Sequence, residues 1–277
     1  GAERYFVDPW IRWHDKKTVS LHRYLAWFVN ALHFTTFKKK VVVTEGLHIT
    51  LVIAKFFSLN KIRLVCLVDD ESPYFIYAGF YKKLSRALNT WAYRQYDAHI
   101  CIGQMETKIV SEIAPNIKQI YTGINGVEQT RLNKLLNVST SPSSPVIIHI
   151  SNGPSGWRGW YKGIDIILSA FQKLIEDFPD LQLKLIGDWR QEYIDQQLSL
   201  ITERARKNIA FLGYVNELEV VLKNASIYVH PARGEAWGIS IQEAMAAGLI
   251  PVVSDWTGAK ECVAAVSEKL IVPIDSN

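Results

Sequence analysis

The chain has 277 residues, 48% of them apolar, enough for one large core or two domains of ordinary size. Its 31 Lys and Arg against 27 Asp and Glu leave a net charge of +4, too mild a basic balance to point to nucleic acid or membrane by itself. Cys66, Cys101 and Cys262 lie singly in apolar runs, which excludes a disulfide framework or a C-x-x-C zinc site and reads as buried thiols of a reducing compartment.

Residues 1–40 are rich in aromatic and basic side chains, among them Trp10, Trp13, Trp27, Phe28, Lys16, Lys17, Arg23 and Lys38 to Lys40. Leu21, Tyr24, Leu25, Phe28, Val29 and Leu32 form a helical stripe. The stripe fits a core-facing helix with a basic outer face, or a surface resting on anionic lipid; no nucleic-acid motif accompanies it. The chain opens on Gly1 and not on Met, as expected of a processed product or a piece of something longer, and shows no signal-peptide pattern. No run reaches the roughly 18 apolar residues of a membrane span. Residues 47–59 come nearest, but His48, Thr50, Lys55 and Ser58 interrupt them.

Strands and helices then alternate. Residues 40–44 predict a strand, 47–59 a helix, and the apolar run 61–68 a parallel strand covered on both faces. Residues 76–96 predict one long amphipathic helix with Phe80, Leu84, Ala87, Leu88 and Trp91 in register. A strand over 97–102, a helix over 106–113 and a strand over 117–121 follow, and the alternation implies a doubly wound α/β sheet. Gly123 to Glu128 reads as a turn, Asn125-Gly126 being a strong turn dipeptide.

The polar stretch 137–145 predicts a linker, which divides the chain into domains 1–140 and 141–277. A strand over 145–151 restarts the pattern and opens into a Gly-rich loop, 152–163, which leads into a helix carrying Ile164, Ile167, Leu168, Phe171, Leu174, Ile175 and Phe178 on one side. A loop that starts at Gly153 and ends in a helix start, with Arg158 and Lys162 in it, suits a diphosphate by charge and by dipole. Strands over 181–187 and 209–215, a charged helix over 191–206, a short helix over 218–224 and a last strand over 269–274 complete the α/β pattern.

Residues 226–261 carry most of the chemistry. A strand ends at His230-Pro231, a loop runs through Gly234 to Gly238, a helix starts near Ile239 and stops at Gly248, and a strand follows over 249–253. A helix start directs unpaired backbone N–H groups and the positive dipole end at the loop, which makes an anion site. Glu235 precedes that helix and Glu243 lies inside it. Two acids beside a phosphate site would repel the ligand unless they address hydroxyl groups on it, so a nucleotide sugar, with rings on both sides of its phosphates, fits.

Glu235, seven intervening residues and Glu243, with Ala236-Trp237-Gly238 where Gly-Phe-Gly is usual, resemble the E-x7-E signature of family-4 glycosyltransferases (glycosyl transferases group 1) of the GT-B fold. The resemblance implies two Rossmann-like doubly wound domains facing across a cleft, an acceptor-side domain over 1–140 and a nucleotide-sugar donor domain over 141–277. By resemblance Glu235 holds the transferred sugar, Glu243 the ribose, and the turn Trp237-Gly238-Ile239 the diphosphate, which Arg158 and Lys162-Gly163 also contact. Gly213-Tyr214-Val215 is similar to the family's base-contacting loop, and Gly123 to Glu128 to the turn closing its first domain.

The family implies retention of configuration, no metal and no cofactor, and the chain has no D-x-D. An acceptor that is a glycan, a lipid-linked sugar or a protein is expected, with a cytoplasmic location, peripheral at the inner membrane surface. Two departures stand out: the strand and Gly-rich loop that open the family's first domain are not found, so that domain is expected to be incomplete, and Asp69-Asp70 stand where a His is often placed. A sugar-nucleotide epimerase or a phosphorylase on the same fold, and a donor-binding scaffold without catalysis, are the alternatives. The scattered histidines show no metal-ligand spacing, and His149 and His230 read as core residues.

Overall fold

The computed structural model describes residues 40–57, 62–69, 72–79, 82–138, 145–153 and 156–274. The aromatic and basic segment, most of the linker, Asp70 and Phe80 lie outside the described residues, and so does the expectation of an incomplete first domain, which concerns what precedes the first strand.

Two all-parallel sheets form. The first contains β1 (Lys40–Glu45), β2 (Ile62–Val68), β3 (Ala98–Ile102) and β4 (Ile120–Gly123), paired in that order. Its helices are α1 (Ile49–Phe57), α2 (Ser72–Tyr77), α3 (Lys83–Tyr93) and α4 (Gly103–Ile113), and α5 (Gln129–Leu136) leads out of it. β2 buries Ile62, Leu64, Cys66 and Val68 on one face, while Arg63 on the other is exposed. The coverage of both faces expected for this strand is therefore complete on one side only.

The second sheet contains β5 (Val146–Ile150), β6 (Gln182–Ile186), β7 (Ile209–Gly213), β8 (Ile227–His230), β9 (Ile250–Ser254) and β10 (Ile271–Val272). Its order is β10-β9-β8-β5-β6-β7, the doubly wound arrangement in which the chain starts at the middle, winds to one edge, and returns to wind to the other. The helices are α6 (Gly156–Tyr161), α7 (Ile164–Asp177), α8 (Gln191–Ser199), α9 (Glu203–Arg206), α10 (Leu218–Leu222), α11 (Ile239–Ala246) and α12 (Lys260–Ala264). On α7, Ile164, Ile167, Leu168, Phe171 and Ile175 are buried, as their spacing requires, whereas Leu174 and Phe178, expected on the same side, are exposed toward the end of the helix.

The predicted helix over 76–96 is two helices. The chain leaves α2 through Gly79, whose φ of 77° is left-handed, before α3 begins. The stripe on α3 also faces the other way from expectation: Leu84 is 83% exposed, with Leu88 and Trp91 also exposed, while Ala92 and Tyr93 anchor the last turn in the core. The predicted helix over 191–206 breaks where Thr202 caps α9, and the last strand shortens to β10 behind a 3-10 turn over Glu268–Leu270. Of the cysteines, Cys66 and Cys101 are fully buried and Cys262 is half-buried.

The two sheets share core contacts. Ile102 of β3 packs in the same cluster as Trp237, Ile241 and Val263, and Ala236 packs with Ile76 and Val110. The Trp237 indole lies against Gly103, close enough that a Cβ there would fall 2.7 Å from the ring. Glu261 of α12 accepts hydrogen bonds from the Gln104 and Met105 N–H groups, capping α4 from the other sheet. The Phe75 ring meets Trp157 and Tyr161 edge-on at 5.5 and 5.3 Å.

Candidate nucleotide-sugar site at the sheet switch point

β5 pairs with both β6 and β8. The winding direction reverses between β5 and β8, so the switch point, the carboxyl-end crevice where doubly wound sheets take their ligands, falls between the loops after these two strands. Those loops are 151–153 and 231–238, two of the segments singled out from the sequence.

Lys162 enters the crevice from the junction of α6 and α7. Gly163 makes this entry compatible with the neighbouring loop: its φ is 75°, and a Cβ on it would sit 2.1 Å from the Pro231 carbonyl oxygen. A side chain is thus excluded twice, by conformation and by space. Arg233 fastens the same junction, with its guanidinium on both Asp165 oxygens at 2.9 and 2.8 Å and its N–H on the Tyr161 carbonyl at 2.8 Å. The Lys162 ammonium then lies 2.6 Å from Glu235 Oε2, with Lys162 4% exposed.

His230 Nε2 meets the same Glu235 oxygen at 3.1 Å. Burial pushes the Glu235 carboxyl up, but the Lys162 ammonium and His230 outweigh it and hold the group below the usual carboxylate range. Glu235 is therefore ionised. Both partners use Oε2, and among the described residues Oε1 is left to accept.

Behind Glu235 the histidines continue as a buried stack. His149 and His230 lie 5.3 Å apart at 26°. Burial first, and the neighbouring His230 next, push His149 down to about 3. His149 is thus neutral, and because the Val229 carbonyl at 2.8 Å can only accept, Nδ1 carries the proton and Nε2 accepts from the Ser151 hydroxyl at 2.6 Å. The Tyr228 hydroxyl bridges His230 Nδ1 at 3.2 Å and the Ser240 hydroxyl at 2.8 Å, linking Glu235 to the first turn of α11.

α11 starts at Gly238, with φ 88° and the Glu235 side chain only 3.2 Å from where a Cβ would be. The Ile241 N–H turns back to the Gly238 carbonyl at 3.0 Å. Among the described residues the Ile239 and Ser240 N–H groups meet no acceptor, so the helix start remains available to an anion. Glu243 lies about 6 Å further along the axis. It is 8% exposed, and its Oε1 is paired with the Arg131 guanidinium of α5. Burial pushes the Glu243 carboxyl up, and Arg131 opposes it.

The other expected residues are distributed less tightly. Gly153 follows β5 in the crevice, covered by the Trp189 ring. Arg158 lies one helical turn before Lys162 and reaches the Asn152 carbonyl at 3.3 Å. The Trp237 ring is 3% exposed, donates to Gln242 Oε1 at 3.1 Å and packs toward the first sheet, so this residue offers the crevice its backbone and not its indole. Gly213 ends the edge strand β7, and Val215 is half-buried against the core.

Sequence reasoning missed Arg131 and the roles of His230 and Tyr228. His230 ends a strand beside a loop carrying an acid, which could have marked it as a site residue. Nothing local to residues 129–136 points to Glu243. Among the described residues no group of three or more His, Cys, Asp or Glu is placed to hold a metal ion, and no helix is long and apolar enough to cross a membrane.

Residues 155–277 match the family model described as glycosyl transferases group 1. A phosphatidyl-myo-inositol mannosyltransferase of Mycolicibacterium smegmatis is 31% identical over 117 residues, covering 41% of this chain and 29% of the relative. An uncharacterized glycosyltransferase of Methanocaldococcus jannaschii is 30% identical over 157 residues, 53% of this chain and 38% of the relative. The matches thus span well under half of these curated relatives.

Among solved structures, Anabaena HepE in complex with UDP and glucose superposes with a TM-score of 0.67 at 18% identity, covering 87% of this chain and 66% of that one. WaaG, a glycosyltransferase involved in lipopolysaccharide biosynthesis, gives 0.65 at 15% identity, covering 93% and 71%. The chain therefore carries the GT-B fold, and its residues 155–277 match glycosyl transferases group 1, in line with the resemblance read from the sequence.

Proposed function

We propose that the chain is a glycosyltransferase that moves a sugar from a nucleoside-diphosphate sugar to an acceptor hydroxyl, with retention and without metal or cofactor. Residues 141–277 bind the donor and residues 1–140 face the acceptor. The observation that carries this reading is the Lys162–Glu235 pair at 2.6 Å, placed at the switch point beside the open start of α11.

Glu235 is ionised, with Oε1 available to a hydroxyl of the transferred sugar. The Lys162 ammonium donates to Glu235 and places its positive charge where the diphosphate would lie. In the reaction the bond between the anomeric carbon and the diphosphate oxygen breaks, the acceptor oxygen takes its place on that carbon, and the acceptor proton leaves with the diphosphate. Charge grows on the departing diphosphate, where Lys162, Arg158 and the N–H groups of Ile239 and Ser240 stabilise it without reorganising. Glu243 takes the ribose, and Gly213 with Val215 border the base.

Names of relatives support the substrate classes: HepE was solved with UDP and glucose, and the mycobacterial relative is named for a lipid acceptor. A glycan, lipid-linked or protein acceptor is proposed accordingly. Contact with a membrane surface rests on residues 1–39, outside the described residues.

The test is turnover of a panel of nucleoside-diphosphate sugars by the purified chain, with release of nucleoside diphosphate as the readout. Acceptor-dependent release is expected. Nucleotide binding without any release would establish a scaffold instead, and a modified nucleotide formed without acceptor would establish an epimerase.

A further inference from the structure

The proposed site leaves one contact unexplained, the pairing of Glu243 with a residue that precedes the second sheet. We propose that Arg131 is a positioning residue for nucleotide recognition: its guanidinium holds one oxygen of Glu243 and leaves the other to a ribose hydroxyl. This inference rests on the donor site proposed above.

Three observations converge on it. Glu243 is 8% exposed, so its charge is costly unless paired, and Arg131 is the cation that meets it. The contact uses Oε1, and among the described residues Oε2 has no partner, so the pair is half of a binding arrangement and not a closed one. Arg131 is itself held in place, because the Glu128 carboxylate caps α5 by accepting from the Thr130 N–H at 2.9 Å and the Arg131 N–H at 3.0 Å. A guanidinium on a fixed turn orients a carboxylate better than a mobile one.

The groups facing Glu243 are Arg131 from α5 and the Tyr228 hydroxyl from β8, whose own titration burial pushes upward, so it stays uncharged. Arg131 is then the influence that favours the ionised acid against its burial. Without it the carboxyl gains a proton at higher pH and loses an acceptor for the ribose. Because α5 leads out of the first sheet, donor affinity depends on a segment outside the donor-side sheet.

The test is calorimetric titration of UDP, GDP and ADP, and of the 2′,3′-dideoxy form of whichever binds, into wild type, Arg131→Met, Arg131→Lys and Glu243→Gln at pH 6 and pH 8. Arg131→Met is expected to weaken the ribonucleotide about 10-fold at pH 6, the loss of one charge-assisted hydrogen bond. The loss should shrink at pH 8, Arg131→Lys should restore most of it, and adding Arg131→Met to Glu243→Gln should change nothing further. The dideoxynucleotide should be indifferent to Arg131→Met.

Equal losses for ribonucleotide and dideoxynucleotide, or no loss for either, overturn the inference while leaving the donor site standing. Wild type that binds none of the three nucleotides overturns the donor site itself, and the inference with it. Arg131→Lys, which keeps the charge, and Glu243→Gln, which keeps the shape, leave the test decisive should Arg131→Met fail to fold.

Discussion

Among the described residues two carboxylates are each held by two basic side chains, and they stand at opposite ends of their sheets. Asp97 precedes β3, at the amino end of the strands. Its Oδ1 takes Arg63 and its Oδ2 takes Lys55, each at 2.8 Å, and the Leu64 N–H adds a third bond to Oδ2 at 2.8 Å. Both oxygens are occupied, and the group ties α1, β2 and β3 together. Glu235 follows β8, at the carboxyl end, and both of its partners crowd onto Oε2. Partner number does not separate the two acids; the oxygen left over and the end of the strand do.

The comparison can be broken by conservative substitutions in each sheet. Glu235→Gln keeps the shape but removes the charge, and should lower turnover by on the order of 100-fold to 1000-fold with nucleotide affinity little changed, measured by steady-state kinetics beside calorimetry. Asp97→Ala should do the reverse: about 2 kcal/mol of stability lost in chemical denaturation, and no change in nucleotide affinity. If Asp97→Ala impaired binding while Glu235→Gln did not impair turnover, the division between the two sheets would be wrong.

A smaller effect sharpens the same contrast through pH. His99 in the first sheet and His149 in the second are both pushed down from 6.5 by burial, to about 4 and about 3. Between those values and 6.5 the unfolded chain binds more protons than the folded one. The stability these groups contribute is therefore full above about 6.5 and drains away as pH falls. His99→Gln and His149→Gln should each flatten part of the melting curve between pH 6.5 and 4.5, above the range in which Glu235 adds its own acid loss. Least of all, Leu84→Ser on α3 should change stability by under about 0.5 kcal/mol, because that side chain is 83% exposed.

Leu84 also shows where a sequence stops being informative. Spacing places Leu84, Leu88 and Trp91 on one helix face correctly, but says nothing of which way that face turns, and the packing of Ala92 and Tyr93 decides it. Strand and helix alternation was readable because parallel strands are short apolar runs between turns, and Gly248 and Pro231 mark real ends. Lys162, Glu235 and Gly238, picked out from the sequence as candidates, do lie together, because their neighbours constrain them locally. Arg131, on a helix that went unrecognised, was not picked out: its partner Glu243 lies across the linker, and a salt bridge between distant segments leaves no periodicity behind. The same holds for the Trp237 indole, whose target on Gly103 is set by the fit of the two sheets.

That fit has a consequence for any attempt to divide the protein. A cut within 139–144 looks harmless on a topology diagram. It would nevertheless release the second piece with a large indole bared to water and a Glu261 carboxylate stripped of its amide donors. The first piece would keep a helix whose leading N–H groups have lost their cap. Neither fragment should be expected to stay monomeric when expressed alone, and mixing the two should restore solubility that each lacks by itself.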